Sequence, residues 1–339
     1  MSISRSREIL IMGGLLFSFS LLMAAQLTTD GKPTEYELPH PGSGPTTIAI
    51  APDGSVWFTE GGGNRIGRMD PDGTGLREFD LPHPRSQPRI IALGADKNMW
   101  FSEHLGNRMG RITPGGVIAE FDIPTPGSEP RAIALSADGN IWFGEFKGGK
   151  IGRITPQGNI TEFPIPTPDS GPRALSAGPD GNVWFSEFNT AKIGRITPDG
   201  KITEFSLPRP DIGPGDITAG ADGNLWFLEL DGRMDSRVVD GNRVDRITPA
   251  GVITQFAIPT PHSGPINIAV GPDRNIWFTG RDMLGRVSKD GDITEFHLPA
   301  NTRPVGLSAG SDRQPVGLLT DKLWYAAAGA NKIGFLKFR

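Results

Sequence analysis

The sequence predicts an all-β chain: a seven-bladed β-propeller of four-stranded antiparallel blades, its ring closed by an N-terminal strand that completes the last blade. Three observations carry this. All seven tryptophans (Trp57, Trp100, Trp142, Trp184, Trp226, Trp277 and Trp324) occupy one slot of a repeat, at spacings of 43, 42, 42, 42, 51 and 47 residues. Each repeat divides into four short strands, and units of about 40 residues with four strands are propeller blades. The chain stops after the third strand of its last repeat, while a segment with the fourth-strand pattern precedes the first.

The fourth repeat shows the reading strand by strand. Strand A is expected at 173–177, and strand B at 183–187 after a Pro-Asp-Gly-Asn turn. A loop through Asn189 and Thr190 leads to strand C at 192–197. A Pro-Asp-Gly turn leads to strand D at 202–207. Asp-Gly at both tight turns supplies the positive φ that hairpins require. Strand D is mixed, with Ile202 and Phe205 among polar residues. Strand B is continuously apolar at Val183-Trp184-Phe185. Neighbouring strand residues face opposite sides, so such a run needs cover on both faces, as a blade between two blades has. No 3.6-residue periodicity appears, which excludes a helical solenoid. No Gly-His…Trp-Asp signature occurs, which disfavours a WD-type propeller.

In the last repeat, strands A, B and C are expected near 305–309, 323–327 and 332–338. The missing strand D is supplied by Thr34-Glu35-Tyr36-Glu37-Leu38-Pro39, so the propeller should span residues 33–339 without an exposed edge. Two repeats carry insertions, at 231–240 in the fifth and around 313–321 in the seventh. Such loops project from one side of a repeat array.

Composition narrows the function. The 31 Pro and 46 Gly recur at fixed offsets, as punctuation of ordered repeats. The absence of Cys excludes disulfides, a thiol nucleophile and a Cys-ligated metal. A net charge of −4 without a basic run argues against nucleic acid as a partner. Arg5 and Arg7, an apolar run from Ile9 and the small pair Ala24-Ala25 form a signal-peptide pattern over residues 1–25. The alternative is an uncleaved anchor, for which the run is short. The expected product is a periplasmic or secreted monomer, off the membrane once the signal is cleaved.

The motifs Gly-Pro-x-x-Ile, Asp-Gly-Asn-x-Trp-Phe-x-Glu, Asn-x-Ile-Gly-Arg-Ile-Thr and Gly-x-Ile-x-Glu-Phe-x-Ile-Pro-Thr-Pro resemble those of the streptogramin B (virginiamycin B) lyases, over essentially all of residues 33–339. The resemblance implies a propeller that linearises a cyclic depsipeptide antibiotic by elimination at its ester, with Mg²⁺. It also implies a His directly after the Pro that opens strand A in blades 6 and 7, and a Glu four residues after the blade-7 Trp. A base for the Cα proton and a cation for the carbonyl are what such chemistry needs. In this sequence those positions are Ile266, Val305 and Ala328. None of the three transfers a proton or binds a metal. The expectation is therefore a ligand- or protein-binding or catalytically divergent relative. An active Mg²⁺-dependent lyase is the alternative.

The post-Pro slots read Thr46, Arg89, Arg131, Arg173, Gly215, Ile266 and Val305 in blade order. A start of strand A and an end of strand B share one face of the ring. Arg89/Glu103, Arg131/Glu145 and Arg173/Glu187 are therefore expected as pairs at that face. The same residues define a candidate mouth for a small-molecule or peptide ligand: Arg89, Arg131 and Arg173 for a carboxylate or phosphate, Ile266 and Val305 for an apolar part. His104, with Glu103 beside it, is the candidate base. Glu60 and Glu229, with Asp216 and Asp231, are candidate Mg²⁺ ligands, since Mg²⁺ takes one or two carboxylates plus water. A lactone-hydrolase reading would need a metal-binding Glu/Asn/Asp set near the axis.

Overall fold

The computed structural model describes residues 29–231, 242–309 and 321–339, and these contain strands and no helix. Seven four-stranded antiparallel sheets form the blades of a propeller. In blade 4 the strands are Pro172–Ala177, Val183–Glu187, Lys192–Ile196 and Ile202–Ser206, within a residue of the expected bounds at each end. Strands A of neighbouring blades pack on one another around the axis, blade 7 against blade 1 included. The fifth-repeat insertion, most of the seventh and the N-terminal segment 1–25 lie outside the described residues.

The repeated motif has a packing reason at each position. Trp184 lies beside Phe205 of strand D, with ring centroids 5.4 Å apart, and the Arg195 guanidinium sits 5.4 Å from the Trp ring. Its Nε1 donates to Asp180 of the A–B turn at 3.0 Å. Arg195 in turn donates to the Pro249 carbonyl of the next blade at 3.0 Å. Phe185 faces the other way and joins Trp142 in the core between blades 3 and 4. Opposite it stands Gly194, where a Cβ would lie 2.1 Å from the ring. The continuous apolar run of strand B thus fills two interfaces at once. Full burial of a Phe-sized side chain is worth about 1.5–3 kcal/mol, and the motif recurs around the ring.

The ring closes as the termini predict. Thr29–Glu37 pairs antiparallel with Lys332–Phe338, placing Thr34 opposite Phe335 and Tyr36 opposite Ile333. The strand begins at Thr29, earlier than the expected start near 33. In blade 7, Phe335 replaces the strand-C Arg opposite Trp324. Lys322 takes over that Arg's inter-blade role: its Nζ lies 4.4 Å from the Phe335 ring centroid and donates to the Pro71 carbonyl of blade 1 at 2.6 Å. Tyr36 adds a second tie, its hydroxyl donating to the Asp72 carbonyl at 2.6 Å.

Candidate functional site

A Pro opens strand A in blades 1, 2, 3, 4 and 7, lies inside it in blade 5 and precedes it in blade 6, and in blades 2, 3 and 4 the pairing with strand B is irregular just after it. The irregularity releases the next side chain from the ladder and turns it to the mouth. A cavity of about 250 Å³ results, lined by Thr46, Arg89, Arg131, Arg173, Asp216, Ile266, Val305 and Ala328, among others. The structure therefore brings the three arginines and the two apolar post-Pro residues to one place.

The expected Arg/Glu pairs are not formed. Glu103 is fully buried and its partner is Arg108 of strand C, at 3.5 Å. Glu187 accepts from Thr190 at 3.1 Å, and Glu145 faces Lys150 and Glu162. The reason is strand alternation. The Glu three residues after Trp points into the blade, and the following residue points to the mouth. That following residue is the arginine's neighbour: the Arg131 guanidinium lies 3.8 Å from the Phe146 ring centroid, and that of Arg173 lies 5.1 Å from Phe188. Arg89 has His104 in the equivalent place, close enough to act on its charge.

The cavity is predominantly cationic, with Glu129 Oε2 3.5 Å from Arg131 and the charge of Asp216 acting on Arg173 as partial counterweights. Burial, then the charge of Arg89, pushes Arg131 down to about 10. Burial, then Arg89 and Arg131, pushes Arg173 down to about 10 as well. Burial also lowers Arg89. All three remain charged at neutral pH. Asp216 is the one carboxylate among the described lining residues. Burial raises it to about 6, against the Ile217 and Ile268 N–H groups that donate to it at 3.0 and 3.2 Å. Asn267 also donates to Asp216, and its Oδ1 accepts from the Leu307 N–H at 2.6 Å. This chain of contacts ties blades 5, 6 and 7 together.

His104 and Glu103 are not brought together. His104 is buried near Arg89 and Arg131, its Nε2 3.8 Å from Glu129 Oε2, and is not among the residues lining the cavity. Burial, then Arg131 and Arg89, pushes its pKa down to about 4, which disfavours the imidazolium a general base must form. Glu60 and Glu229 are buried in blades 1 and 5 and line no part of the cavity. Glu60 pairs with Arg65 at 3.1 Å, and Glu229 accepts from Gln255 at 2.9 Å. The side chain of Asp231 falls outside the described residues.

The residues present do not fit Mg²⁺. Among the described residues no three His, Asp or Glu side chains converge on a point that could hold a metal. Among its described lining residues the cavity offers one carboxylate, already used by three donors, and three guanidinium groups that repel a divalent cation. Ile266, Val305 and Ala328 add no oxygen or nitrogen side-chain donor.

Phe146, Phe188 and Asn267 are site residues that the sequence reading passed over. A register kept one residue further past each Trp would have found the two Phe. Nothing local marks Asn267, whose partners come from three blades.

A sequence model described as the virginiamycin B lyase family matches residues 22–235 and 166–339. The virginiamycin B lyase of Nocardia farcinica is 36% identical over 85 residues, a stretch covering 24% of this chain and 30% of that enzyme. A solved streptogramin B lyase structure superimposes with a TM-score of 0.81 at 35% identity, covering 91% of this chain and 98% of that one. A catalytically inactive variant of the Staphylococcus aureus virginiamycin B lyase, solved with quinupristin, gives a TM-score of 0.81 at 35% identity, covering 90% and 99%.

Proposed function

The chain belongs to the virginiamycin B lyase family, and from that premise we propose that it has exchanged the family's elimination chemistry for recognition of an anionic, amphipathic ligand at the propeller mouth. One observation carries the reading: three guanidinium groups converge on a single cavity, where the one carboxylate among the described lining residues is already engaged. Clustered like charges in a half-buried site are costly unless an anion completes them. Arginine presents a planar fork suited to a carboxylate or phosphate. Ile266, 39% exposed, gives an apolar surface beside the charged one. The aromatic supports under Arg131 and Arg173 hold the guanidinium planes without adding a counter-charge, and Glu129 offsets part of the Arg131 charge.

Loss of elimination follows from the same residues. A wall of Ile266, Val305 and Ala328 supplies neither a base nor a metal ligand where the family resemblance places them. The reading includes export, directed by residues 1–25, and action as a monomer in the periplasm or outside the cell.

Titration calorimetry with octanoate tests the binding. The wild-type protein should bind it, and Arg89→Met/Arg131→Met/Arg173→Met should not. Equal binding by both sinks the proposal. Incubation with quinupristin and Mg²⁺, followed by mass spectrometry, tests the chemistry. No linear product is expected; product that disappears in His104→Ala would restore the lyase reading.

A further inference from the structure

We infer that the mouth has a second anion subsite, at Arg281 and Arg303, and that its ligand carries an anionic group at each end of an apolar body, as an α,ω-dicarboxylate does. The inference rests on the anion-binding reading above and specifies the ligand class. The arginine cavity is not closed on the blade 6–7 side. It continues into a recess of about 690 Å³ that shares Ile266, Val305 and Ala328 with it and holds Arg281 and Arg303.

The recess exists because blades 6 and 7 lack side chains that the other blades carry. Gly280 stands in the slot where blades 1–5 bury a Glu. Blade 7 has Ala328 in the slot that Phe146 and Phe188 fill in blades 3 and 4. The same slot of blade 6 holds Arg281, so its guanidinium belongs to the mouth face. Arg303 is the residue before the Pro that opens strand A of blade 7. Gly329 leaves room for it, since a Cβ there would lie 3.0 Å from the Arg303 stem.

Asp282 is the one carboxylate among the described residues of the recess. Its oxygens accept from the Arg303 and Asn301 backbone N–H groups at 2.9 and 3.0 Å, so it shapes the loop. The route from Arg131 to Arg303 is then cationic, apolar and cationic in turn. This holds on a chain whose net charge is −4. A ligand with one anionic group would satisfy one end and leave the other facing water. A two-ended anion satisfies both, with its methylenes over Ile266 and Val305.

The test is calorimetric titration with adipate, suberate, sebacate and dodecanedioate against octanoate and laurate. One dicarboxylate length should bind at least about tenfold more tightly than the matching monocarboxylate. Arg281→Ala/Arg303→Ala should erase that preference and leave monocarboxylate affinity unchanged. Both residues are exposed, and a melting curve matching wild type certifies the fold of the double variant. Arg131→Met should weaken both ligand series. If mono- and dicarboxylates bind alike, or the double variant keeps the preference, the second subsite is wrong and the first stands. If neither series binds, both readings fall.

Discussion

Arg131 and Arg173 show how a single side chain acquires its role. Each leaves its strand just after a Pro, lies on a Phe of its own blade and meets other guanidinium groups at the axis. Such a cluster is a binding device with a stability penalty, and the two effects separate by mutation. Arg173→Met should weaken anion binding yet leave folding stability equal or higher, because it removes a buried charge repelled by Arg89 and Arg131. Urea denaturation measures this. A lower stability would make Arg173 a structural strut. The arginines and their convergence were legible from the repeat register. Their neighbours were not, because adjacent residues of strand B point to opposite faces, and the register was carried to Glu145 and Glu187 when Phe146 and Phe188 were the contacts.

At the scale of the element, the buried Glu of strand B explains a recurrent pattern. Glu103, Glu145 and Glu187 face the strand-D carboxyls Glu120, Glu162 and Glu204. Both oxygens of Glu103 and Glu145 are buried and short of hydrogen-bond donors, Arg108 standing 3.5 Å from Glu103, and a proton shared within each carboxyl pair would meet the shortfall. Burial, then the neighbouring carboxylate, accordingly raises Glu145 and Glu187 to about 8. Burial, with Glu120 adding to it, raises Glu103 to about 7. In the folded state these groups hold a proton that the unfolded chain releases near pH ~4.5. Their stabilisation is complete below that value and is lost as pH rises through about 7–8. Glu162 and Glu204 are lowered and act with the opposite sign, below the usual carboxylate range. The melting temperature should therefore fall between about pH 5 and pH 9, and Glu145→Gln should flatten that fall. A melting temperature rising over this window contradicts the shared protons. Strand C makes a second prediction. Gly194→Ala puts a methyl group against the Phe185 ring and should cost about 1–3 kcal/mol, read by chemical denaturation.

Over the whole molecule, the N-terminal strand decides closure. Removing residues 33–39 deletes most of the strand that pairs with Lys332–Phe338 and takes away Tyr36 and buried Leu38. The cost should be at least about 2 kcal/mol, from apolar burial alone. The bared edge should also promote association. A differential scanning calorimetry trace matching the full chain would count against closure by this strand. Number, order and length of blades were readable from seven Trp and the matching end segments, because each Trp fills the same kind of interface between one blade and the next. A repeated physical demand leaves a repeated residue. What only the tertiary structure decided is the mouth. Asp216, Asn267 and the Leu307 N–H meet from three blades, and the cavity runs past Ile266 to Arg281 and Arg303. These contacts join residues about one repeat apart, between slots where the repeats differ. The sequence by itself set the ring and placed three arginines at its opening. The direction each side chain takes, and the recess beside them, depend on strand alternation and blade packing that no single repeat contains.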